Sequence, residues 1–123
     1  MLRFLRSLFT PDPRDLSPPQ AVRLIDEGAR VVDVREANEF AAGHLPGAIR
    51  VPLGTIRRHG PAALQRHGLD PQRQPLLLVC RSGARSRAAM ALLSRVPGAQ
   101  VFNLRGGLTA WLDHDLPLQQ RKG

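Results

Sequence analysis

The stretch that decides the fold reads Leu76-Leu77-Leu78-Val79-Cys80-Arg81-Ser82-Gly83-Ala84-Arg85-Ser86. Its first part is a continuous apolar run that follows a proline, which is typical of a strand covered on both faces of a parallel sheet. The residues from 88 to 96 then place apolar side chains at helical spacing. We therefore predict a strand over 76–79, a short loop, and a helix that begins where the loop ends.

The loop holds the only cysteine of the chain, Cys80. Arg81, Arg85 and Arg87 follow it within a few residues, and no acidic residue lies nearby in the sequence. Cationic neighbours and a helix N-terminus favour the thiolate and lower the pKa of a thiol from its usual value of about 8.5. The backbone N–H groups of such a loop also suit an anion. These features predict a reactive thiolate in an anion-binding loop and, given the three arginines, disfavour a cysteine buried in the core.

Strands and helices alternate along the rest of the chain. Further strands are predicted over 31–34, 48–51 and 100–104. Helices are predicted after Ser17 and up to Gly28, over 36–42, once or twice within 52–68, and from Gly106-Gly107 to a point before Pro117. This alternation predicts an α/β fold with a central parallel sheet of about five strands and helices on both faces. In such sheets ligands bind at the carboxyl ends of the strands, where the Cys80 loop falls.

Length and composition restrict the class of protein. A chain of 123 residues can bury one core without metals or disulfides, and a single cysteine excludes an intramolecular disulfide. The four histidines are scattered without metal-ligand spacing, so we expect no metal site and no cofactor. Because no signal peptide is visible, we expect a cytoplasmic protein.

The net charge of +8 raises the question of a nucleic-acid partner. The arginines are dispersed, however, and aromatic residues make up only 4% of the chain. Proteins that bind single strands interleave basic residues with aromatic ones, and this pattern is missing. We therefore expect no nucleic-acid binding and interpret part of the charge as an attraction for small anionic substrates.

The first ten residues place polar side chains at helical spacing among apolar ones. This segment is too short, and too interrupted by Arg6, to span a membrane or to form a signal-peptide core. Docking on protein is a simpler interpretation than contact with an anionic membrane surface. We expect an amphipathic extension and linker over 1–13, a folded domain over 14–118 and a tail over 119–123.

Four stretches of the chain resemble, in the right order, a single-domain rhodanese. They are Val32-Asp33-Val34-Arg35-Glu36 with Glu39-Phe40, then Gly43-His44-Leu45-Pro46-Gly47-Ala48, then the Cys80 loop, and finally Leu104-Arg105-Gly106-Gly107-Leu108 with Ala110-Trp111. Together they span roughly residues 15 to 117. The resemblance implies a rhodanese-like fold and a sulfurtransferase of the thiosulfate type.

In that family's mechanism Cys80 would take the outer sulfur of a donor such as thiosulfate and release sulfite. The resulting persulfide would pass its sulfur to cyanide, a small thiol or a protein cysteine. The resemblance assigns donor and persulfide binding to the loop residues Arg81, Ser82, Gly83, Ala84, Arg85 and Ser86. Asp33 and Arg35 would pair and support the end of their strand, and the simplest interpretation of His44 is a hydrogen bond that fixes its turn.

Two other functions remain open on the sequence. Cysteine-dependent phosphatases use a similar loop, in which five residues separate the cysteine from the arginine. Here only four residues separate Cys80 from Arg85. The same difference weighs against an arsenate reductase. The domain could also be a sulfur carrier or docking module that acts mainly through a protein partner, although the intact Cys80 and Arg85 argue against a simple loss of activity.

Overall fold

The structure is a computed structural model that describes residues 12–120. The strands are β1 (Asp15–Leu16), β2 (Arg30–Asp33), β3 (Ile49–Arg50), β4 (Leu76–Val79) and β5 (Val101–Leu104). The helices are α1 (Pro18–Asp26), α2 (Ala37–Ala42), α3 (Leu53–His59), α4 (Ala62–Gln65), α5 (Ala84–Leu93) and α6 (Gly107–Asp113). The amphipathic segment predicted over 1–10 lies outside the described residues.

The five strands form one sheet in the order β1-β5-β4-β2-β3, and every neighbouring pair is parallel. The prediction of an α/β fold with a five-stranded parallel sheet is therefore confirmed. The strand that the sequence did not reveal is β1, because two residues are too few to show a strand pattern. It is recognisable only from its pairing with Asn103 and Leu104 of β5.

The central strand β4 is buried on both faces, as its apolar run indicated. Leu76 and Leu78 pack in a cluster with residues of α3, α4 and α5. Leu77 and Val79 point to the opposite face and pack in a second cluster with residues of α1 and α6. Because alternate side chains of a strand serve opposite faces, an unbroken apolar run is what a middle strand needs.

The connections from β2 and β4 leave the sheet in opposite directions. The chain passes from β2 to the edge strand β3, and from β4 to β5 on the other side. Neighbouring parallel strands with diverging connections open a crevice at their carboxyl ends, where ligands bind in open α/β sheets. The crevice brings the residues after Asp33 beside those after Val79, and the Val34 N–H donates to the Val79 carbonyl at 3.0 Å.

A buried ion pair holds the segment that follows β2. The Arg35 guanidinium donates to both Asp33 carboxylate oxygens at 2.8–3.1 Å, and the Arg35 backbone N–H donates to Oδ1 at 3.0 Å. The same guanidinium donates to the Gly43 carbonyl at 2.7 Å, just after α2. The predicted partnership of Asp33 and Arg35 is confirmed, and it explains how a carboxylate is tolerated in an apolar strand.

The turn after α2 is tied to the C-terminal segment. His44 Nδ1 lies 2.7 Å from the Phe40 carbonyl and its ring stacks on Phe40 at 3.7 Å, in agreement with the predicted structural role. His44 and Gln119 exchange two backbone hydrogen bonds of 2.9 and 2.7 Å.

No helix within residues 12–120 is long and apolar enough to cross a membrane.

Removing the arginine of the buried pair should destabilise the fold. We expect Arg35→Ala to lower the free energy of unfolding by about 3–5 kcal/mol, because it leaves the Asp33 carboxylate buried without its partner. Arg73→Ala is the matched control, since Arg73 pairs with Asp70 at 3.6 Å and the Arg73 side chain is 88% exposed. That variant should change the stability by less than about 1 kcal/mol in urea unfolding. Similar small losses in both variants would contradict this role of the buried pair.

Candidate active site

Cys80 lies at the end of β4 with its sulfur enclosed by the loop. Its side chain is 1% exposed and belongs to the apolar cluster on the α5 face. The expectation that the flanking arginines would keep it out of the core is therefore wrong. The loop buries Cys80, Gly83 and Ser86 while the long arginine side chains reach solvent, and Arg81 and Arg87 are both exposed.

The surroundings of the sulfur are nevertheless polar. Sγ accepts hydrogen bonds from the Gly83 N–H at 3.1 Å, the Ser86 N–H at 3.4 Å and the Ser86 hydroxyl at 3.3 Å. Ser86 itself is fully buried. Donors that converge on one sulfur stabilise its anion, so the site is built for a thiolate.

These hydrogen bonds lower the pKa of the Cys80 thiol. Burial alone raises it, but the Ser86 hydroxyl and the backbone N–H groups of Ser86, Gly83 and Ser82 lower it by more, and the net pKa lies below the usual value. The predicted direction of the shift is thus confirmed. Of the two predicted causes, the N–H groups at the start of α5 contribute, whereas the arginine charges are not among the main contributions; hydrogen bonds from the loop account for the lowering.

The loop keeps this shape because helix α6 binds its outer side. The Leu108 N–H donates to the Cys80 carbonyl at 3.0 Å and the Thr109 N–H donates to the Arg81 carbonyl at 3.2 Å. A Cβ atom at Gly107 would collide with both of these carbonyl groups, so only glycine allows the approach. With its carbonyls held outward by α6, the loop presents N–H groups to the sulfur. The Gly106-Gly107 pair was the sequence signal for this contact.

Gly83 makes the turn that starts α5. Its φ of 97° lies in the left-handed region, and a Cβ there would come within 3.1 Å of the Gly106 nitrogen. Ala84, also predicted as a site residue, directs its N–H to the Ser82 hydroxyl at 3.4 Å. The loop therefore divides its N–H groups between the sulfur and its own turn.

Arg85 is bound by an acidic residue that is distant from the loop in the sequence. Its guanidinium donates to both carboxylate oxygens of Glu39 at 2.8 and 2.9 Å. The hydrogen bond from Arg85 is the main reason that the pKa of Glu39 falls to about 2. The pair is complete at pH values above the usual carboxyl pKa and is lost only as the pH falls toward 2. Glu39 belongs to one of the motifs that resemble the rhodanese family, but nothing in the sequence indicated its contact with Arg85.

A cavity of about 220 Å³ opens beside the loop. Its lining residues come from the segment after β2, the Cys80 loop, α6 and the C-terminal segment, and are Arg35, Glu39, Ala42, Gly43, Arg81, Leu108, Thr109, Leu112 and Leu118. Arg81 makes no ion pair within the described part of the chain, whereas Arg87 contacts Asp15 at 3.3 Å. Residues 12–120 contain no cluster of His, Cys, Asp or Glu that could hold a metal ion.

Comparison with known proteins agrees with this geometry. The model of the rhodanese-like domain matches residues 17–114. A sulfurtransferase of Allochromatium vinosum is 37% identical over 102 residues, which cover 82% of this chain and 89% of that protein. The thiosulfate sulfurtransferase GlpE of Pseudomonas entomophila is 37% identical over 97 residues, covering 78% of this chain and 82% of that protein.

A solved structure of a single-domain sulfurtransferase is also similar to this chain. The human single-domain sulfurtransferase TSTD1 superimposes with a TM-score of 0.70 at 28% identity, over 83% of this chain and 97% of that one. The match to the family model extends from the N-cap of α1 to the residue after α6 and includes the whole Cys80 loop. On this evidence the chain belongs to the rhodanese-like sulfurtransferase family.

Proposed function

We propose that this protein transfers a sulfane sulfur from an anionic donor such as thiosulfate to a thiophilic acceptor, with a persulfide on Cys80 as the intermediate. The observation that carries the proposal is the set of donors around the Cys80 sulfur, namely the Gly83 and Ser86 N–H groups and the Ser86 hydroxyl. They stabilise a thiolate, so no general base is needed to remove a proton.

The first step needs only this thiolate. The Cys80 sulfur attacks the outer sulfur of thiosulfate and forms a new S–S bond, while the S–S bond of the donor breaks and its electron pair leaves on sulfite. No proton moves in this step. A thiol with a lowered pKa is therefore sufficient as the nucleophile.

The second step returns the enzyme to its resting form. An acceptor such as cyanide or a thiolate attacks the terminal sulfur of the persulfide, and the electron pair of the broken S–S bond returns to Cys80 as thiolate. Between the steps the terminal sulfur carries negative charge, which preorganised N–H groups of the loop stabilise. Because Cys80 has no second cysteine to pair with, this chemistry fits a reducing compartment, and we propose the cytoplasm.

The arginines differ in how they can meet the donor. Arg81 is exposed, lines the cavity and has no acidic partner within residues 12–120, so its charge is available to an incoming anion. Arg85 is held by Glu39, so it acts on the donor only against the negative charge of that carboxylate. We propose that Arg81 attracts the donor and that Arg85 closes the loop beside the sulfur.

The direct test is the turnover of thiosulfate and cyanide by wild type and Cys80→Ala. We expect the wild type to form thiocyanate and the variant to lose the activity to background. Turnover that survives in Cys80→Ala would contradict the mechanism. A folded wild type with no turnover on any sulfane donor would favour the rival function, a docking module that acts through a protein partner.

Ser86→Ala should raise the pKa of Cys80, because it removes the hydrogen bond that lowers this pKa most. The thiolate then forms at higher pH, and the loss of turnover on acidification moves to higher pH with it. Ultraviolet absorbance of the thiolate during a pH titration measures this directly. Ser82→Ala is the control from the same loop, since the Ser82 hydroxyl contacts the Ala84 N–H and not the sulfur. Equal titration curves for Ser86→Ala and wild type would show that the hydroxyl does not stabilise the thiolate.

Arg85→Ala should weaken the use of thiosulfate more than Arg87→Ala does. The first variant removes a positioned cation and leaves the Glu39 carboxylate unpaired beside the cavity. We expect the KM for thiosulfate to rise about tenfold, in line with the loss of one charge-assisted interaction. Arg87 is exposed and its one acidic partner within residues 12–120 is Asp15, so its loss should change KM less than about twofold.

The double variant Arg85→Ala/Glu39→Gln separates the two effects. If the unpaired carboxylate repels the donor, the second substitution should recover a large part of the KM. Equal effects of Arg85→Ala and Arg87→Ala would mean that general positive charge, and not the position of Arg85, matters for the donor.

A further inference from the structure

The cavity beside the Cys80 loop has two chemically different walls. One wall is charged and consists of Arg35, Glu39 and Arg81. The other is apolar and consists of Leu108, Leu112 and Leu118. Thiosulfate and cyanide are small ions that use neither a leucine wall nor a volume of about 220 Å³, which is several times the roughly 30 Å³ that one water occupies in the liquid.

The apolar wall is exposed in a way that is unusual for this molecule. Leu112 is 50% exposed and is the only large hydrophobic residue so exposed within residues 12–120. It stands beside Leu108, which is buried, and Leu118, which is partly buried. Together the three leucines extend the apolar cluster of the α6 face into the cavity, and apolar surface in a concave site marks a contact with an apolar group.

This wall is also held in place. The Trp111 indole N–H donates to the Pro117 carbonyl at 2.9 Å, and Gln119 pairs with His44 through the two backbone hydrogen bonds described above. Leu118 lies between these two anchors and approaches Gly43 closely. A wall fixed at both ends does not have to be ordered when a ligand binds, which lowers the cost of binding.

The charged wall offers one net positive charge to a ligand. Asp33 compensates Arg35, and Glu39 and Arg85 compensate each other. Of the three arginines at this wall, only Arg81 has no acidic partner within residues 12–120. A group that fills the cavity should therefore be apolar on one side and anionic on the other.

We propose that this cavity binds an extended protein segment around the acceptor cysteine, with an apolar side chain on the three leucines and a neighbouring acidic side chain on Arg81. Successive side chains of an extended chain point to opposite sides, so adjacent apolar and acidic residues can reach the two walls at once. The proposal rests on the proposed function, because the cysteine of the segment would collect the sulfur from Cys80.

Equilibrium binding of peptides that cannot react tests the apolar wall. The probes are acetylated, amidated pentapeptides Gly-Leu-Asp-Ser-Gly and Gly-Ser-Asp-Ser-Gly, in which the fourth residue stands in place of the cysteine. Calorimetry should show the first binding wild type about tenfold more tightly, as expected for partial burial of one leucine. In Leu112→Ser this preference should disappear. Asp113→Ser, an exposed neighbour on α6 that is outside the cavity, should keep it.

A second pair of peptides tests the role of the Arg81 charge. A peptide with asparagine in place of aspartate should bind wild type several-fold more weakly, and Arg81→Gln should abolish this difference. Arg105→Gln, also exposed and close to the carboxyl end of the sheet but outside the cavity, should retain it.

Equal affinity of wild type for the leucine and serine peptides would overturn the proposal, as would a preference that survives in Leu112→Ser. Because these peptides carry no thiol, the result does not depend on turnover. A protein that turns over thiosulfate can fail this test, and a protein without turnover can pass it.

Discussion

The site depends on one close approach, that of Gly107 to the carbonyl groups of Cys80 and Arg81. Helix α6 begins there and binds the outer side of the loop through the Leu108 and Thr109 N–H groups. With its carbonyls engaged, the loop can turn N–H groups toward the sulfur. Because β4 and β5 are adjacent strands, the sheet itself brings the start of α6 to the loop. The hydrogen bonds to the sulfur within residues 12–120 thus come from neutral groups, the Gly83 and Ser86 N–H groups and the Ser86 hydroxyl.

The charged residues of the site lie farther from the sulfur than the loop donors do, and four of them form two ion pairs. The two ion pairs link the segment after β2 to its neighbours. One joins Asp33 and Arg35. The other joins Glu39 of that segment to Arg85 of the Cys80 loop. The two pairs fix the crevice between β2 and β4 while adding no net charge to it. Of the two arginines that line the cavity, Arg81 is the one without an acidic partner within residues 12–120. In the proposed mechanism, hydrogen bonds stabilise the thiolate while a separate residue, Arg81, attracts the anionic donor.

Much of this was predictable from local sequence, and the rest required the fold. The apolar run of β4, the neighbouring residues Asp33 and Arg35, and the glycines before α6 are short-range signals with direct physical meaning. Strand β1 is two residues long and exists only through its pairing with β5. The contact of Arg85 with Glu39 joins residues 46 positions apart, and no local pattern around Arg85 reports it. The burial of Cys80 was predicted wrongly because flanking side chains say little about where a loop backbone lies.

The central claim is that Cys80 carries the sulfur between donor and acceptor. Intact-protein mass spectrometry after brief exposure to thiosulfate, followed by removal of the donor, tests it most directly. We predict the addition of one sulfur atom, located on Cys80 by peptide mapping and lost on addition of cyanide. A wild type that forms thiocyanate while Cys80 never gains a sulfur would contradict the account.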